Sequence, residues 1–552
     1  MARAKRAARL AVGVLALSSV WSGIGWAQEQ SQLEEAVVAP LPADIDSLPP
    51  IDAPVLQDDR TQAAFDVSNE GDLRGVDLGS LGIDENSLSL ADVVASVYRF
   101  YPEIERARTE RSRTQGESVS AWGAYDTKLG AFSLNEPMGY YKNYRHGIGL
   151  ARQTWWGGYL SAGYRLGRGS VQPWYKERQT DEGGEFKLAM VQPLLQGRAI
   201  DAQRVAIFQA ALGQQAAEPA IQQAILETSR DAVTIYWQWV ASGAVLAAQR
   251  ELLDLAEARR NQIEGGVRAG KFAEIDLLLN QQLIAERRVK LVETEQKFRA
   301  TSFKLSLYLR DGSGEPLVPS DLWLPRKFPE VQPPRRAPFD TDLAAALTRR
   351  PEPRLLQLEI QKVQLDRQLA CNQTLPTLDF VAEASQDIGE PATKSDDKGD
   401  FELLVGLQSE VPIQRRKARG KIQSSTAKIA QISQKRRLTQ DKIATELHTS
   451  RNALHLNTQV VRQSEQAYRA ALETLNRYRF AFDRGKVDLI YLNLVESKAN
   501  ETEIKYIESQ RAWYASLADL QYALGLDPMD QAMKVADGSD GRESDESDGT
   551  DP

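Results

Sequence analysis

Apolar residues recur every seventh position in the segment between Pro412 and Gly525. No proline occurs from Ile413 to Ala481, and the composition there favours one very long helix. One compact core cannot bury such a helix, so its apolar residues should form a narrow seam against other helices. The second row of the same heptad repeat, called the companion row here, contains mostly small or polar residues, which is typical of helices that approach closely and also face water. The apolar row is Leu447, Leu454, Val461, Tyr468 and Leu475, and the companion row is Ile443, Ser450, Asn457, Ser464, Ala471 and Tyr478.

A second long segment ends in the same way, which indicates an internal repeat. Residues 268–279 align without gaps on residues 483–494, and each stretch follows a long helical run and precedes a shorter one. Each copy then reads as helix, β segment, long helix, turn and shorter helix. The predicted helices are 90–122, 197–264 and 271–310 in the first copy, and 342–372, 413–481 and 487–525 in the second.

Short segments that alternate apolar and polar residues lie in the β segments 125–192 and 377–411. Alternation over about ten residues is the weak sequence signature of a transmembrane β-strand. The predicted strands are Tyr125 to Leu134, Gly147 to Thr154, Gly158 to Leu166, Glu185 to Gln192, Thr377 to Ser385 and Phe401 to Val411.

Aromatic residues in the first β segment suit the headgroup zone of a membrane, where Trp and Tyr are favoured. A soluble sheet with packed aromatics is the alternative explanation of the same pattern. The candidate membrane-interface residues are Trp155, Trp156, Tyr159, Tyr164, Trp174 and Tyr175.

A sheet in lipid cannot keep an open edge, and the smallest closed bacterial barrels need about eight strands. If each copy contributes two membrane strands, one chain supplies four and must oligomerise, and three chains supply twelve. The strands between Gly147 and Leu166 would then form a hairpin extension outside the cell.

Both ends of the chain differ in composition from its middle. Four basic residues precede a short apolar stretch and a small-x-small site, which predicts a signal peptide at 1–27. Residues 28–85 contain fourteen acidic residues and two arginines, and the acidic tail 529–552 is similar, so both are predicted to be disordered. Residues 86–536 carry only about +6 of formal charge, which argues against a nucleic-acid partner.

Other candidate chemistry is weak. Cys371 is the only cysteine, and no base accompanies it, so we expect a packed thiol. His448 and His455 lie two helical turns apart, too far to share one metal ion. The basic run from Arg415 to Lys421 fits a solvated helix start, or contact with lipid headgroups. We therefore expect no enzyme activity, no catalytic residues, no metal and no cofactor.

These features together resemble the TolC-like outer membrane efflux protein family. The resemblance rests on the two-copy organisation, on Val191-Gln-Pro-Leu-Leu-Gln-Gly197-Arg after a strand, on Leu375-Pro-Thr-Leu378 opening one, on Gly270-Lys-Phe-Ala-Glu-Ile-Asp276 at the first turn, and on the terminal helix Leu517 to Gly525. It covers nearly all of residues 86–528, and the order and spacing of the motifs are its specific part.

The resemblance implies a mostly α protein with β strands, a homotrimer whose four membrane β-strands per chain form a twelve-strand β-barrel. Long coiled-coil helices would continue that barrel as a periplasmic α-barrel. The implied repeats are 86–315 and 341–528, with a Pro-rich equatorial linker at 316–340.

In the family, the periplasmic end closes as an iris lined by acidic residues of the second copy. Asp276 matches the aspartate of the first tip, and Phe482 takes the place of a tip tyrosine. Val487 stands where an arginine can lock the tip, while Tyr491 and Leu494 replace the lumen aspartates. The resemblance thus implies a pore constriction at Tyr491, Leu494 and Asp276 that closes by bulk or dewetting rather than by charge.

The two tip turns are the expected contact with a periplasmic adaptor. Gly270 and Gly485 would supply left-handed conformations where the chain reverses. The turn residues implied for adaptor contact are Arg268, Gly270, Lys271, Phe482, Arg484, Gly485 and Lys486.

Two functions remain open at this point. One is a passive exit duct of the outer membrane, in a tripartite efflux pump or type I secretion system, with a periplasmic adaptor (membrane fusion) protein, an RND or ABC inner membrane transporter and outer membrane lipid as partners. The other is a periplasmic coiled-coil structural or interaction protein whose β segment is soluble.

Overall fold

The computed structural model describes residues 87–139, 142–169, 180–271, 273–332, 337–391 and 401–527. The predicted signal peptide, both acidic segments, Trp174 and Tyr175 lie outside these ranges. The described chain divides into two compact units. The first contains residues 113–215 and 357–434, and the second contains residues 87–112, 216–356 and 435–527.

Two short helices, a group of strands, a long helix and a shorter helix follow one another twice along the described chain, with four strands in the first set and two in the second. The first set comprises α1 Leu90–Phe100, α2 Pro102–Trp122, β1 Lys128–Glu136, β2 Asn143–Gln153, β3 Tyr159–Gly169, β4 Glu185–Pro193, α3 Ala202–Arg268 and α4 Glu274–Leu305. The second set comprises α5 Phe339–Arg349, α6 Glu352–Asn372, β5 Thr377–Asp387, β6 Phe401–Glu410, α7 Arg416–Asp483 and α8 Leu489–Ala523.

Corresponding helices in the two sets have nearly the same length. Helices α1 and α5 have 11 residues each, and α2 and α6 have 21 each. The long helices α3 and α7 have 67 and 68 residues. Helix α3 runs through Pro219 without ending, although proline removes one backbone hydrogen bond there.

The predicted helices 90–122 and 342–372 each consist of two helices. Tyr101 and Arg350 interrupt them in extended conformations, with ψ of 122° and 129°. Each precedes a proline, Pro102 or Pro351, and the proline ring disfavours the α conformation of the residue before it. The proline thus ends one helix and stands at the start of the next.

The heptad seam of α7 is confirmed by burial. Leu447, Leu454, Val461 and Leu475 are all buried. The companion row supplies hydrogen bonds as well as small side chains, because Asn457 Nδ2 donates to the backbone oxygen of Ala512 in α8.

An aromatic cluster forms the largest core of the second unit. Trp237 of α3 stacks on Tyr514 of α8 with ring centroids 3.9 Å apart, and Phe328 stacks on the Trp237 ring at 5.7 Å. The hydroxyl of Tyr514 also donates to the backbone oxygen of Pro329 at 3.0 Å. The part of the Pro-rich connection around Phe328 and Pro329 is therefore packed against helices of its own unit.

All six strands belong to one antiparallel sheet in the order β1-β2-β3-β4-β5-β6, within the first unit. The six predicted strand segments are confirmed within a few residues. Strands β2 and β3 are the strands that the sequence analysis expected to form a hairpin extension. They pair along their whole lengths with each other, and β1 and β4 flank them.

The two phenylalanines of α4 test the packing of the second unit. Phe298 is 3% exposed and stacks on Trp239, whereas Phe303 is 60% exposed. Phe298→Ala should lower the free energy of unfolding by about 3–5 kcal/mol, and Phe303→Ala should change it by less than about 0.5 kcal/mol. Denaturant unfolding of the purified protein, followed by the circular dichroism of its helices, measures both. Equal losses would contradict the assignment of this core.

Candidate functional site

The two helix reversals have the same backbone geometry. Gly270 and Gly485 have φ of 70° and 69°, the left-handed region that glycine adopts without strain. The next amide donates five residues back in each turn, from Lys271 to Gly266 and from Lys486 to Ala481. These are Schellman caps, which satisfy the last carbonyls of α3 and α7. Four exposed cations surround the turns: Arg268, Lys271, Arg484 and Lys486.

The helices that follow the turns each start with one of the two hydrogen bonds that make up a capping box. In α4, the Asp276 carboxylate accepts a hydrogen bond from the Ala273 amide at 3.0 Å. In α8, the Asp488 carboxylate accepts from the Tyr491 amide at 2.9 Å. A full capping box combines both bonds at one helix start, whereas each helix here has one. Asp276, an expected constriction residue, is thus engaged as a helix cap.

Tyr491 and Leu494 lie on the exposed side of α8, with 58% and 63% of their surface accessible to solvent. Leu492, on the opposite side of the helix, is buried among residues of α7 and α8. Leu279 of α4 is exposed at the position that matches Leu494, and Ile275 is exposed at the position that matches Ile490, which is also exposed. Both turns therefore present apolar side chains that the chain itself does not cover, which is typical of a protein interaction surface.

Phe482 lies on the inner side of the second turn. Its ring packs with the cluster formed by Leu475, Leu492 and Ala499, and the Arg259 guanidinium lies 5.9 Å from its centroid. Phe482 therefore stabilises the turn rather than projecting from it.

A buried charged cluster joins the two helix pairs behind the turns. Glu496 of α8 is fully buried and accepts hydrogen bonds from Arg259 of α3 and Arg287 of α4. Arg479 of α7 lies 3.8 Å from the same carboxylate. One charged residue from each of four helices thus meets at a single point, and residues of the first copy bind a carboxylate of the second.

The cluster contains three guanidinium groups and one carboxylate. Burial alone would raise the pKa of Glu496, but the hydrogen bond and charge of Arg259, together with Arg287, hold that pKa below its usual 4.5. Burial lowers the pKa of Arg287, with a further contribution from the charge of Arg259. Both pKa values are lowered, which favours the charged form of Glu496 and disfavours that of Arg287, because three guanidinium groups share one carboxylate. Arg287 remains charged, since arginine does so even when buried.

Neutral acceptors complete the cluster. Arg259 Nη1 donates to Asn493 Oδ1 at 3.0 Å, and Arg287 Nη1 donates to the Leu252 backbone oxygen at 2.6 Å. These bonds satisfy guanidinium donors that the single carboxylate cannot reach.

The predicted interface aromatics occupy different surroundings. Trp155 stacks on Trp122 with centroids 5.5 Å apart and meets Phe208 edge-on, whereas Trp156 is 70% exposed. Tyr164 donates from its hydroxyl to the Gly183 backbone oxygen. Tyr159 is half-buried on the opposite face of the sheet. Trp156 is the most exposed of these four, and Trp155 is 40% exposed despite its ring contacts.

The remaining candidates show packing contacts. His448 stacks on Phe339 at 3.7 Å, and Cys371 is a half-buried free thiol. Within the described ranges, no group of three or more potential ligands could hold a metal ion. None of the described helices is long and apolar enough to cross a membrane.

No protein-family model and no curated protein sequence matches this chain. Solved structures do match it. The CmeC outer membrane channel of Campylobacter jejuni aligns with a TM-score of 0.58 and 12% identity, over 83% of this chain and 90% of the channel. The outer membrane protein VceC of Vibrio cholerae aligns with a TM-score of 0.57 and 14% identity, over 79% of this chain and 96% of VceC. The open state of the MtrE outer membrane channel of Neisseria gonorrhoeae aligns with a TM-score of 0.56 and 12% identity, over 79% of this chain and 89% of MtrE.

The chain has the fold of the TolC-like outer membrane factors. The fold predicted from the resemblance is confirmed at that level. At sequence identities of 12–14%, the structural alignments establish the fold and nothing more, so the roles of the turn residues remain predictions.

The charged cluster of this outer membrane factor fold was missed in the sequence. A signal was present, because Leu489, Leu492, Glu496 and Ala499 follow the three- and four-residue spacing of a buried helical face. A glutamate in such a row requires a buried cationic partner. Nothing in the spacing identified Arg259 and Arg287, which lie more than 200 residues away.

Two glycines of the first turn provide a matched test of its geometry. A methyl group added at Gly265 or Gly270 would meet no atom within 4 Å. Gly265 is helical, so Gly265→Ala should stabilise the protein by about 0.5–1 kcal/mol. Gly270 has positive φ, so Gly270→Ala should destabilise it by about 1–2 kcal/mol. Unfolding midpoints should shift in opposite directions, and shifts of the same sign would reject the Schellman cap.

Glu496→Gln removes the only carboxylate of the cluster. It should cost about 3–5 kcal/mol of unfolding free energy, because buried guanidinium groups lose their counter-charge. Glu501→Gln on the same helix is the control, since Glu501 pairs with Lys498 and Lys505 at the exposed surface. We expect no measurable change for that variant.

The effect of Glu496 should also depend on pH. The pKa of Glu496 is lowered on folding, so its contribution is complete above pH 4.5 and is lost as the pH falls through the lower pKa of the folded state. The stability difference between wild type and Glu496→Gln should therefore shrink in acid. A difference that grows in acid would contradict the ionised state of Glu496.

Proposed function

We propose that this protein is a passive exit duct of the outer membrane, with a large periplasmic portion. The observation that carries the proposal is the six-stranded sheet of a chain with the outer membrane factor fold. One face of that sheet is apolar and exposed, with Leu129, Ile148 and Leu188 on it. The other face carries ion pairs such as Lys187 with Glu383. Lipid on one side and water on the other account for both faces.

The duct is proposed to be a homotrimer that works with partners in a tripartite efflux pump or a type I secretion system. The transport energy would come from an inner membrane transporter of the RND or ABC type, coupled through a periplasmic adaptor. Arg268, Lys271, Arg484 and Lys486 surround the two reversals as exposed cations, and they form the proposed adaptor surface. The uncovered apolar residues beside them support a protein contact at this end.

Tyr491, Leu494 and Asp276 are the proposed constriction. Exposed aromatic and aliphatic groups do not replace the hydration shell of an ion, so they would close a pore by bulk or dewetting. Asp276 is held in its capping bond, which leaves Tyr491 and Leu494 as the groups that set the width.

Conductance in planar bilayers tests the duct and its constriction together. The purified wild type should conduct poorly, and Tyr491→Ala combined with Leu494→Ala should raise conductance with little change in cation preference, because bulk is removed and no charge is added. Leu456→Ala is the control, since Leu456 is also exposed but lies in α7 away from the turns. Unaltered conductance in the double variant would contradict closure at these residues.

Cell fractionation separates the duct from the alternative, a periplasmic coiled-coil protein with a soluble sheet. The protein should remain with the outer membrane after washing with salt and carbonate. Release into the soluble fraction would overturn the duct and favour the alternative.

A further inference from the structure

The sheet is one continuous antiparallel meander. Neighbouring strands pair in register from β1 to β6, and the strands have 9–11 residues each. Membrane strands need about 9–11 residues, so every strand has the required length. Strands β2 and β3 do not differ from the other four in length or pairing.

The apolar face continues across β2 and β3. Residues paired in register lie on the same face of a sheet, and residues two apart along a strand do too. One such row contains apolar residues in all six strands. It comprises Leu129, Leu150, Ala162, Leu188, Ala384 and Leu403. The next row on this face includes Ile148 of β2, Tyr164 of β3 and Phe186 of β4.

The opposite face carries ion pairs from β1 to β5, beside single exposed leucines of the two end strands, Leu134 and Leu404. Ion pairs join Arg145 with Glu136 between β2 and β1, and Arg165 with Glu185 between β3 and β4. Glycines of β1, β2 and β3 form one row on this face at Gly130, Gly149 and Gly163. A hairpin standing in water outside the membrane needs no uncovered apolar face, whereas a strand in the bilayer does.

The strand order begins with β1 and ends with β6, and each pairs with one neighbour only. Strand β6 exposes Leu403, Val405 and Leu407 and contains neither lysine nor proline. Proteins often protect a free strand edge with lysine or proline, and β6 has neither, so its open edge suits pairing with another strand. Six antiparallel strands alternate in direction, and β6 of one copy can therefore pair antiparallel with β1 of a second copy.

We propose that all six strands of each chain lie in the outer membrane and that three chains close an eighteen-strand barrel through β6–β1 pairing between copies. This inference rests on the proposed membrane duct and replaces the twelve strands expected from the resemblance. With strands ~4.8 Å apart and tilted by ~40°, eighteen strands close at a backbone diameter of roughly 35 Å, compared with roughly 24 Å for twelve. The exit would have about twice the cross-section, which suits bulkier cargo.

Spin labels on single cysteines in full-length protein test which strands meet lipid. The background is Cys371→Ser, which removes the only native cysteine. The variants are Ile148→Cys in β2 and Leu188→Cys in β4, which are 52% and 50% exposed on the apolar face, and Ser161→Cys in β3 on the polar face. After reconstitution in phospholipid vesicles, collision of the label with oxygen reports lipid, and collision with a water-soluble nickel chelate reports water.

Labels at positions 148 and 188 should both favour oxygen, and the label at 161 should favour nickel. If 188 favours oxygen while 148 favours nickel, the hairpin is outside the bilayer and the six-strand inference is wrong, although the duct stands. If 148 and 188 both favour nickel, the proposed function fails as well.

The mass of the complex tests closure. Native mass spectrometry of the detergent-released protein should give three chains. Two chains with both labels in lipid would close a twelve-strand barrel and overturn the eighteen-strand inference, without affecting the membrane assignment.

Discussion

The structure depends on the mutual burial of very long helices. Helices of 67 and 68 residues carry an apolar seam too narrow to stabilise either of them in water. The chain meets this constraint by duplication, since each long helix is followed by a shorter one that covers part of its seam. Leu475 and Leu492 form such a contact between α7 and α8, as Leu253 and Ile284 do between α3 and α4. The reversals must then be tight, which explains positive φ at both glycines.

The buried cluster at Glu496 joins these pairs in a way that apolar packing alone does not. Apolar seams tolerate sliding, whereas a carboxylate bound by Arg259 and Arg287 fixes one register of α8 against α3 and α4. The excess positive charge makes this contact costly to bury and sensitive to loss of its single acid. The resemblance placed Asp276 at the constriction and Val487 where an arginine can lock the tip. In the structure, Asp276 caps α4, and a buried polar link between the repeats lies at Glu496.

Local and periodic features were predictable from the sequence. The heptads of α7, the left-handed glycines and the strand segments all follow from short-range rules, and they agree with the structure. Long-range pairings were not predictable in the same way. Glu496 with Arg259, or Trp237 with Tyr514, join residues more than 200 positions apart that no spacing rule connects. Alternation identified strands β2 and β3 but not their neighbours in the sheet. Only the register revealed that Leu150 and Ala162 share a row with Leu129 and Leu188.

The two units place their charges differently, and this bears on selectivity. At the turns, Glu496, Arg259 and Arg287 are buried, and the exposed apolar groups at the start of α8 are Ile490, Tyr491 and Leu494. In the sheet, Lys187, Glu383 and Arg165 line the polar face as half-exposed pairs that water can reach. Paired charges of both signs give little net field, so that face would not strongly favour cations or anions. In the proposed duct, Tyr491 and Leu494 would exclude cargo by size, and the exposed cations Arg268, Lys271, Arg484 and Lys486 would add positive charge at the turns.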